Sequence, residues 1–277
     1  MYDVIETMDH SIIHHGKNSN RIYVMSLNYQ DIPDIMDQLD VLASTNGYTK
    51  IIVKVPIEYI KRLEDYGYKK EAMIRKLYNG EKDGYFLCKY LDHERETDPF
   101  ANACTKIIES AMRKEEDSCN VEIKDCFLCR QATKGDVADM VAVYQSVFKS
   151  YPFPIFDEAY LLKTMEENLI YFGIWHNKKL IALSSIELDE KNSNAEMTDF
   201  AVMKEYRGRG FARYLLNQME EKLMSLNVKT AFTIARAQSE GMNITFKKNG
   251  YTYAGTLINN TDIAGHIESM NVWYKQV

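Results

Sequence analysis

The stretch Thr198–Leu216, "TDFAVMKEYRGRGFARYLL", decides how this chain reads. An apolar run, Phe200 to Met203, gives way to Lys-Glu-Tyr-Arg-Gly-Arg-Gly, and a helical pattern begins at Phe211. Between Lys204 and Arg213 stand four basic residues and one acidic one, a positive patch on a chain whose net charge is −6. Gly208 and Gly210 let backbone N–H groups approach an anion with no side chain in the way. The helix that follows presents its N-terminal N–H groups and the positive end of its dipole. Together these features select a pyrophosphate or a similar group. A dinucleotide fingerprint needs G-x-G-x-x-G, whereas Arg213 stands in the place of the third glycine, and a parallel βαβ setting is lacking. A Walker A loop needs Gly-Lys-Ser/Thr, which is absent.

Working outward, the residues around this turn alternate strand and helix. "CFLCRQAT" reads as a strand, and Thr133-Lys-Gly-Asp136 as a capping-box-like helix start. Val137, Met140, Val141, Tyr144 and Val147 then fall at helical spacing, and Pro152 and Pro154 break the pattern. "EAYLLKTMEEN" is a short helix, and "IYFGIW" and "KLIALSSIEL" are strands joined by a hairpin. "AEMTDFAVM" is the strand before the turn. Phe211, Leu215, Met219 and Leu223 mark the apolar face of the helix after it. "KTAFTIAR" is a strand, "SEGMNITFKKN" a helix closed by Gly250, and "YTYAGTLI" and "ESMNVWYK" the final strands. The expected class is mixed α/β (α+β), one domain on a largely antiparallel sheet with a crossover helix.

The N-terminal part repeats the second half of that order. "RIYVMSL", "DIPDIMDQLDVLAST", "KIIVKV", "PIEYIKRLEDY", "MIRKLYN" and "GYFLCKYL" alternate as strand, helix, strand, helix, strand, strand, and "LEDYGYKKEA" lies over "FKKNGYTYAG". Its turn differs: "NYQDIPD" has no glycine and two aspartates, which would repel a phosphate. Residues 1–91 are therefore expected to be a degenerate half-copy, 92–125 a connector with a helix near Ala101–Arg113, and 126–277 the functional domain. Whether the half-copy packs on its own chain's site or on a partner chain is open at this stage.

Composition bounds the rest. Hydrophobic residues make up 45% of the 277, enough for one or two packed cores. The net charge excludes a general basic field for nucleic acid, and no apolar run is long enough to cross a bilayer. The start of the chain has no apolar secretory region. Cys88, Cys104, Cys119, Cys126 and Cys129 form an odd, irregularly spaced set, so a reducing cytoplasm is expected. Cys126-x-x-Cys129 falls in a strand pattern with no second pair, which disfavours a metal site. His14-His15 reads as a solvated loop.

Arg207-Gly208-Arg209-Gly210-Phe211-Ala212, after "DFAV" and before a helix, resembles the acyl-CoA signature Gln/Arg-x-x-Gly-x-Gly/Ala of the GNAT N-acetyltransferases. The element order of residues 126–277 fits the same family. The resemblance implies the GNAT acyl-CoA N-acyltransferase fold, a twisted, mostly antiparallel sheet with splayed central strands. It implies that Phe200, Ala201 and Val202 pair with the pantetheine arm of acetyl-CoA, the co-substrate, and that the turn cradles its pyrophosphate. Asn243 matches the family's asparagine after the next strand, usually placed against the cofactor. Phe246 stands where many members carry a tyrosine that protonates the leaving thiolate, so the acid is unassigned, with Tyr251 and Tyr253 coming later in the strand. No metal is expected.

Catalysis must neutralise an amine. A lysine-like ammonium has pKa about 10.4, so deprotonating it at pH 7 costs roughly 4 to 5 kcal/mol, and a carboxylate can take the proton. Glu196 falls where some members of the family carry their general base, with Asp199 as the alternative. On an unbroken strand Glu196, Thr198 and Phe200 share one face and Met197, Asp199 and Ala201 the other, so only one carboxylate should face the acceptor.

For the acceptor, "FKSYPFPIFDEAY" lies where the family places a substrate loop and offers Tyr151, Phe153, Asp157 and Glu158. Asn259, Asn260 and Asn271 are neutral hydrogen-bonding groups, and Arg236 could hold a carboxylate bidentately. "ARAQSEGMNITFKKNGY" followed by "GTLINNTDIAGHIESMNVWYK", with the long N-terminal extension, is similar to the β-lysine N6-acetyltransferases over nearly the whole chain. That resemblance implies acetyl transfer to the terminal amine of β-lysine, a small diamino acid, giving a compatible solute under osmotic stress. Another small amine (lysine, a polyamine), a protein N-terminus, or a non-catalytic acyl-CoA-binding module are the alternatives. Neither nucleic acid nor membrane is an expected partner, and a homodimer is left open.

Overall fold

The computed structural model describes residues 3–117 and 122–277, so Cys119 lies outside the described residues. The N-terminal half runs β1 (Val4–Met8), β2 (Ser11–Gly16), β3 (Arg21–Ser26), α1 (Asp34–Asn46), β4 (Lys50–Pro56), α2 (Ile60–Asp65), β5 (Lys69–Tyr78) and β6 (Lys82–Tyr90). Helix α3 (Ala101–Met112) follows in the connector. The C-terminal half runs β7 (Phe127–Gln131), α4 (Val137–Val147), α5 (Glu158–Glu167), β8 (Leu169–His176), β9 (Lys179–Asp189), β10 (Asn194–Val202), α6 (Phe211–Ser225), β11 (Thr230–Arg236), α7 (Glu240–Lys248), β12 (Thr252–Ile263) and β13 (His266–Gln276).

All these strands join one sheet, ordered β1-β2-β3-β4-β6-β5-β12-β13-β11-β10-β9-β8-β7. Read outward from the β5–β12 seam, one side runs β5-β6-β4-β3-β2-β1 and the other β12-β13-β11-β10-β9-β8, so the two halves repeat one topology. Each has a single parallel pair, β3 with β4 and β10 with β11, and the remaining neighbours are antiparallel.

Close backbone approach and buried polar groups hold the seam. Gly255, at φ 141°, faces Ala72, and a Cβ there would lie 2.1 Å from the Glu71 carbonyl oxygen. Only glycine permits both that dihedral and that contact. Lys50, fully buried, donates to Glu71 at 2.9 Å and to the Ile258 carbonyl at 2.6 Å. Arg95 of the connector donates to the carbonyls of Asn259 (2.6 Å) and Ser19 (2.7 Å) and to Thr49 Oγ1 (2.9 Å), tying connector and halves together.

Period-2 alternation assigns the faces of each half. Ile22, Val24, Ile51 and Val53 pack with Ile35 and Leu39 of α1 and Leu63 of α2. Ala195, Met197 and Ala231 pack with Leu215 and Met219 of α6 and Phe246 of α7. The opposite faces meet: Tyr23 and Ile52 join Phe232, Leu257, Ile263 and Met270 in one cluster. The N-terminal half therefore packs against its own chain, over the face of β11 that carries Phe232.

One local reading fails. β1 and β2 form a hairpin at the sheet edge, so His14 and His15 lie buried in a strand and not in a solvated loop. His14 stacks on Phe153 with 4.6 Å between ring centroids and faces the Pro152 carbonyl at 3.2 Å. Burial, with the Arg21 charge next, pushes its pKa down to about 4, so the ring is neutral. The alternation of these residues is too interrupted by histidine and glycine to read as a strand; the β3 edge supplies the pairing.

Candidate active site

Strand β10 positions the chemistry because it is irregular twice. It pairs with β11 only through Asn194, Ala195 and Glu196, after which the two strands diverge. Its register with β9 shifts between Thr198 and Ala201, and Asp199 takes φ 56°. This is a β-bulge, which re-aims side chains on the bulged strand. It corrects the expectation of strict alternation: Glu196, Thr198 and Asp199 all line one cavity, of about 920 Å³.

That cavity lies between the halves, with Arg21, Tyr23 and Lys54 on one wall and Glu187, Glu196 and Asp199 on the other. A second cavity, of about 530 Å³, opens where β10 and β11 splay. Phe200, Val202, Arg207, Gly208, Gly210, Phe211, Ala212 and Phe246 line it. The two meet at Tyr151, Thr198, Asp199, Ile234, Ile263 and Met270, which line both.

At the junction Asp199 is pinned. Tyr151 donates to its Oδ1 and Ser185 to its Oδ2, each at 2.5 Å. Burial raises the Asp199 pKa, against those hydrogen bonds. Burial, then Asp199, keeps the Tyr151 hydroxyl protonated far above its ordinary range. Glu196, paired across the ladder with Glu187, is pushed up to about 8, first by burial and then by the Glu187 charge, with Lys54 opposing.

The splayed cavity is bordered by the glycine turn and the start of α6. Gly208 and Gly210 take φ 76° and 78°, and nothing lies within 4 Å of a Cβ placed on Gly208. Among the described residues no side chain caps α6, so its first N–H groups are open to an anion. Arg207 donates to the Val202 carbonyl at 3.0 Å, and Arg209 stacks on Tyr206, 5.4 Å from the ring centroid. Arg213 binds Asp117 and Asn249, so its charge serves the connector more than the turn. In the N-terminal copy Asp31 stands in the matching turn, where His10 and Ser11 bind its carboxylate.

Several sequence expectations are corrected here. The Asn243 side chain is fully buried and saturated. It donates to the carbonyls of Arg236 and Ser239 and accepts from Asn271 and Trp273, so it locks α7 to β11 and β13 and does not face a ligand. Arg236 forms a two-point pair with buried Glu268 (3.0 and 2.7 Å) beside the donor cavity, so its fork is already used. Asn259 donates to the carbonyls of Arg95 and Thr97 and serves the connector. Asp157 is an exposed cap of α5, accepting from the Ala159 N–H. The Ala201 side chain packs into the cluster under α4, and Ala201 is not among the residues lining the splayed cavity. Tyr253 bonds Thr256, and Tyr251 lies behind Phe246. Tyr151, Phe153 and Asn260 line the cavity between the halves.

The sequence reading missed Ser185, Glu187, Arg21 and Lys54. Arg21, Tyr23 and Met25 alternate with Ile22 and Val24 in "RIYVMSL", which signals a polar face on β3, but what that face meets is set by the other half.

Residues 140–251 match the family described as Acetyltransferase (GNAT) family. A beta-lysine N(6)-acetyltransferase of Methanococcus maripaludis is 38% identical over 275 residues, 99% of each chain. A protein of the same name from Methanosarcina mazei is 31% identical over 88% of this chain and 97% of its own. A spermidine N-acetyltransferase from Vibrio cholerae, solved with CoA and spermine, aligns at TM-score 0.47 and 21% identity, over 55% of this chain and 96% of that one. This chain belongs to the GNAT acetyltransferases, in the family of the beta-lysine N(6)-acetyltransferases, and is an acetyl-CoA-dependent N-acetyltransferase.

Proposed function

We propose that this enzyme acetylates the N6 amine of β-lysine, giving an N6-acetyl-β-lysine that serves as a compatible solute in osmoadaptation. The observation that carries the reading is the meeting of the two cavities at Asp199, beside Glu196, in a chain 38% identical to a beta-lysine N(6)-acetyltransferase over its full length.

Acetyl-CoA, held along Phe200–Val202 and the Arg207–Ala212 turn, supplies an electrophilic thioester carbonyl. The chain's own residues prepare the amine. Glu187, Glu196 and Asp199 make one end of the acceptor cavity acidic, which attracts an ammonium group. Proton transfer from a lysine-like ammonium to an ordinary glutamate is uphill by roughly 8 kcal/mol; to a glutamate near 8 it is uphill by roughly 3 kcal/mol. Glu196 is therefore the proton acceptor, and Asp199, fixed by Tyr151 and Ser185, orients the amine. Phe246 cannot donate a proton. Among the described residues Tyr151 is the tyrosine lining both cavities, but Asp199 holds its hydroxyl proton, so the leaving thiolate takes the proton that the attacking amine gives up as the amide forms.

The test is thiol release from acetyl-CoA with β-lysine, L-lysine, spermidine and a peptide N-terminus, with the acetylated nitrogen located by NMR. A preference for L-lysine or spermidine over β-lysine would overturn the substrate, and acetylation at N3 would overturn the regiochemistry.

A further inference from the structure

The cavity between the halves holds a cation that has no counter-charge within ion-pair distance among the described residues. Arg21 sits at the start of β3 on the cavity wall, only 4% exposed. Among the described residues its Nε has no hydrogen-bond partner and no carboxylate lies within ion-pair distance of its guanidinium. The aromatic face of Tyr23, 5.3 Å away, is its neighbour. Burial pulls its pKa down to about 10, with the charges of Asp3 and Glu196 opposing, so it stays protonated at neutral pH.

A buried cation without a partner is costly and is kept where a ligand supplies the counter-charge. A planar fork of N–H groups matches a carboxylate bidentately. The other arginine suited by sequence to that task, Arg236, is closed by Glu268. Lys54, also on the N-terminal wall, adds positive charge nearby, its Nζ 5.0 Å from the Phe232 ring centroid. The acidic end of the cavity lies on β9 and β10 and the cationic wall on β3 and β4. Such polarity suits a molecule with an ammonium at one end and a carboxylate at the other. Two further groups suit a second ammonium: the Oδ1 atoms of Asn194 and Asn260, both buried on the cavity wall, have no donors among the described residues.

We propose that the N-terminal half supplies the acceptor-recognition site, with the Arg21 guanidinium pairing to the carboxylate of an amino-acid acceptor. The half-copy that lost its own anion-binding turn thus selects amines that carry a carboxylate over simple polyamines. This inference rests on the reading of the cavity as the acceptor site.

The experiment compares kcat/KM for acceptor pairs that differ only in the carboxylate: β-lysine against 1,4-diaminopentane, and L-lysine against 1,5-diaminopentane. The wild type should favour the carboxylate member by about 100-fold or more, the range for a buried charge pair. Arg21→Met should bring that ratio close to one, and Arg21→Lys should leave an intermediate ratio. Because the apo protein gains from losing an unpaired buried charge, Arg21→Met should melt no lower than the wild type. A ratio near one in the wild type overturns the inference, as does an Arg21→Met enzyme slowed equally on both members of a pair. If β-lysine is not a substrate but carboxylate-bearing amines are still favoured through Arg21, the substrate proposal fails and this one stands.

Discussion

Tyr151 donates to Asp199 Oδ1 at 2.5 Å, and this bond joins the loop after α4 to the bulge of β10 where the two cavities meet. The bulge turns Asp199 toward the cavity, and the bonds from Tyr151 and Ser185 fix both of its oxygens.

Breaking that relationship should affect turnover more than binding. Asp199→Asn is expected to lower kcat by about 100-fold, within the range of general acid–base and positioning effects. Tyr151→Phe should lower it by about 10-fold or more. Calorimetry should find acetyl-CoA affinity within a few-fold of wild type in both. A loss of affinity equal to the loss of rate would make them donor-site residues.

Glu196 gives a pH signature. In the free enzyme kcat/KM should climb with pH through a limb near 8, as Glu196 loses its proton. Glu196→Gln should lower the neutral-pH rate by about 100-fold and erase that limb. An unchanged limb in the variant removes Glu196 as the base.

The same group links stability to pH. Its folded pKa, about 8, lies above the ordinary 4.5. Below pH 4.5 both states hold the proton and no difference arises. Between 4.5 and 8 the unfolded chain ionises while the folded one resists, so stability falls, and above 8 the loss is complete. Glu196→Gln should therefore match the wild type near pH 4 and exceed it by about 2 kcal/mol at pH 8, allowing for coupling to Glu187 and Asp199. Urea midpoints at the two values check this.

The turn is tested by bulk at an open position. Gly208→Val adds a side chain where nothing stands within 4 Å, so packing is spared. The left-handed dihedral costs about 1–2 kcal/mol. Acetyl-CoA affinity should fall by about 30-fold or more, because the branched side chain stands between an anion and the backbone N–H groups. If calorimetry finds the affinity intact, the turn does not hold the pyrophosphate.

Asn243 separates scaffold from site. Asn243→Ala strands the buried Asn271 amide and the Trp273 indole N–H, each without its acceptor. About 3 kcal/mol of stability should be lost. At a temperature where the variant is folded, its acetyl-CoA affinity should stay close to wild type. The opposite pattern would return Asn243 to the donor site.

What the sequence determined by itself is local and periodic. The spacing of Phe211, Leu215, Met219 and Leu223 is a helix face whatever surrounds it, and Gly208-Arg209-Gly210 before a helix start leaves backbone N–H groups uncovered by side chains wherever it stands. The repeat of strand and helix order was legible for the same reason, and so was the missing glycine in "NYQDIPD". Tertiary structure decided everything that depends on a partner distant in sequence. Whether Arg236 or Arg21 is free depends on Glu268 and on the facing half-sheet. Whether Glu196 and Asp199 share a cavity depends on a bulge that β9 imposes through its register. Asn243 and Asn259 look like ligand-binding amides until their partners close around them. A side chain's chemistry is encoded at its own position. Whether that chemistry is spent inside the fold or left for a ligand is settled only by what the chain brings against it.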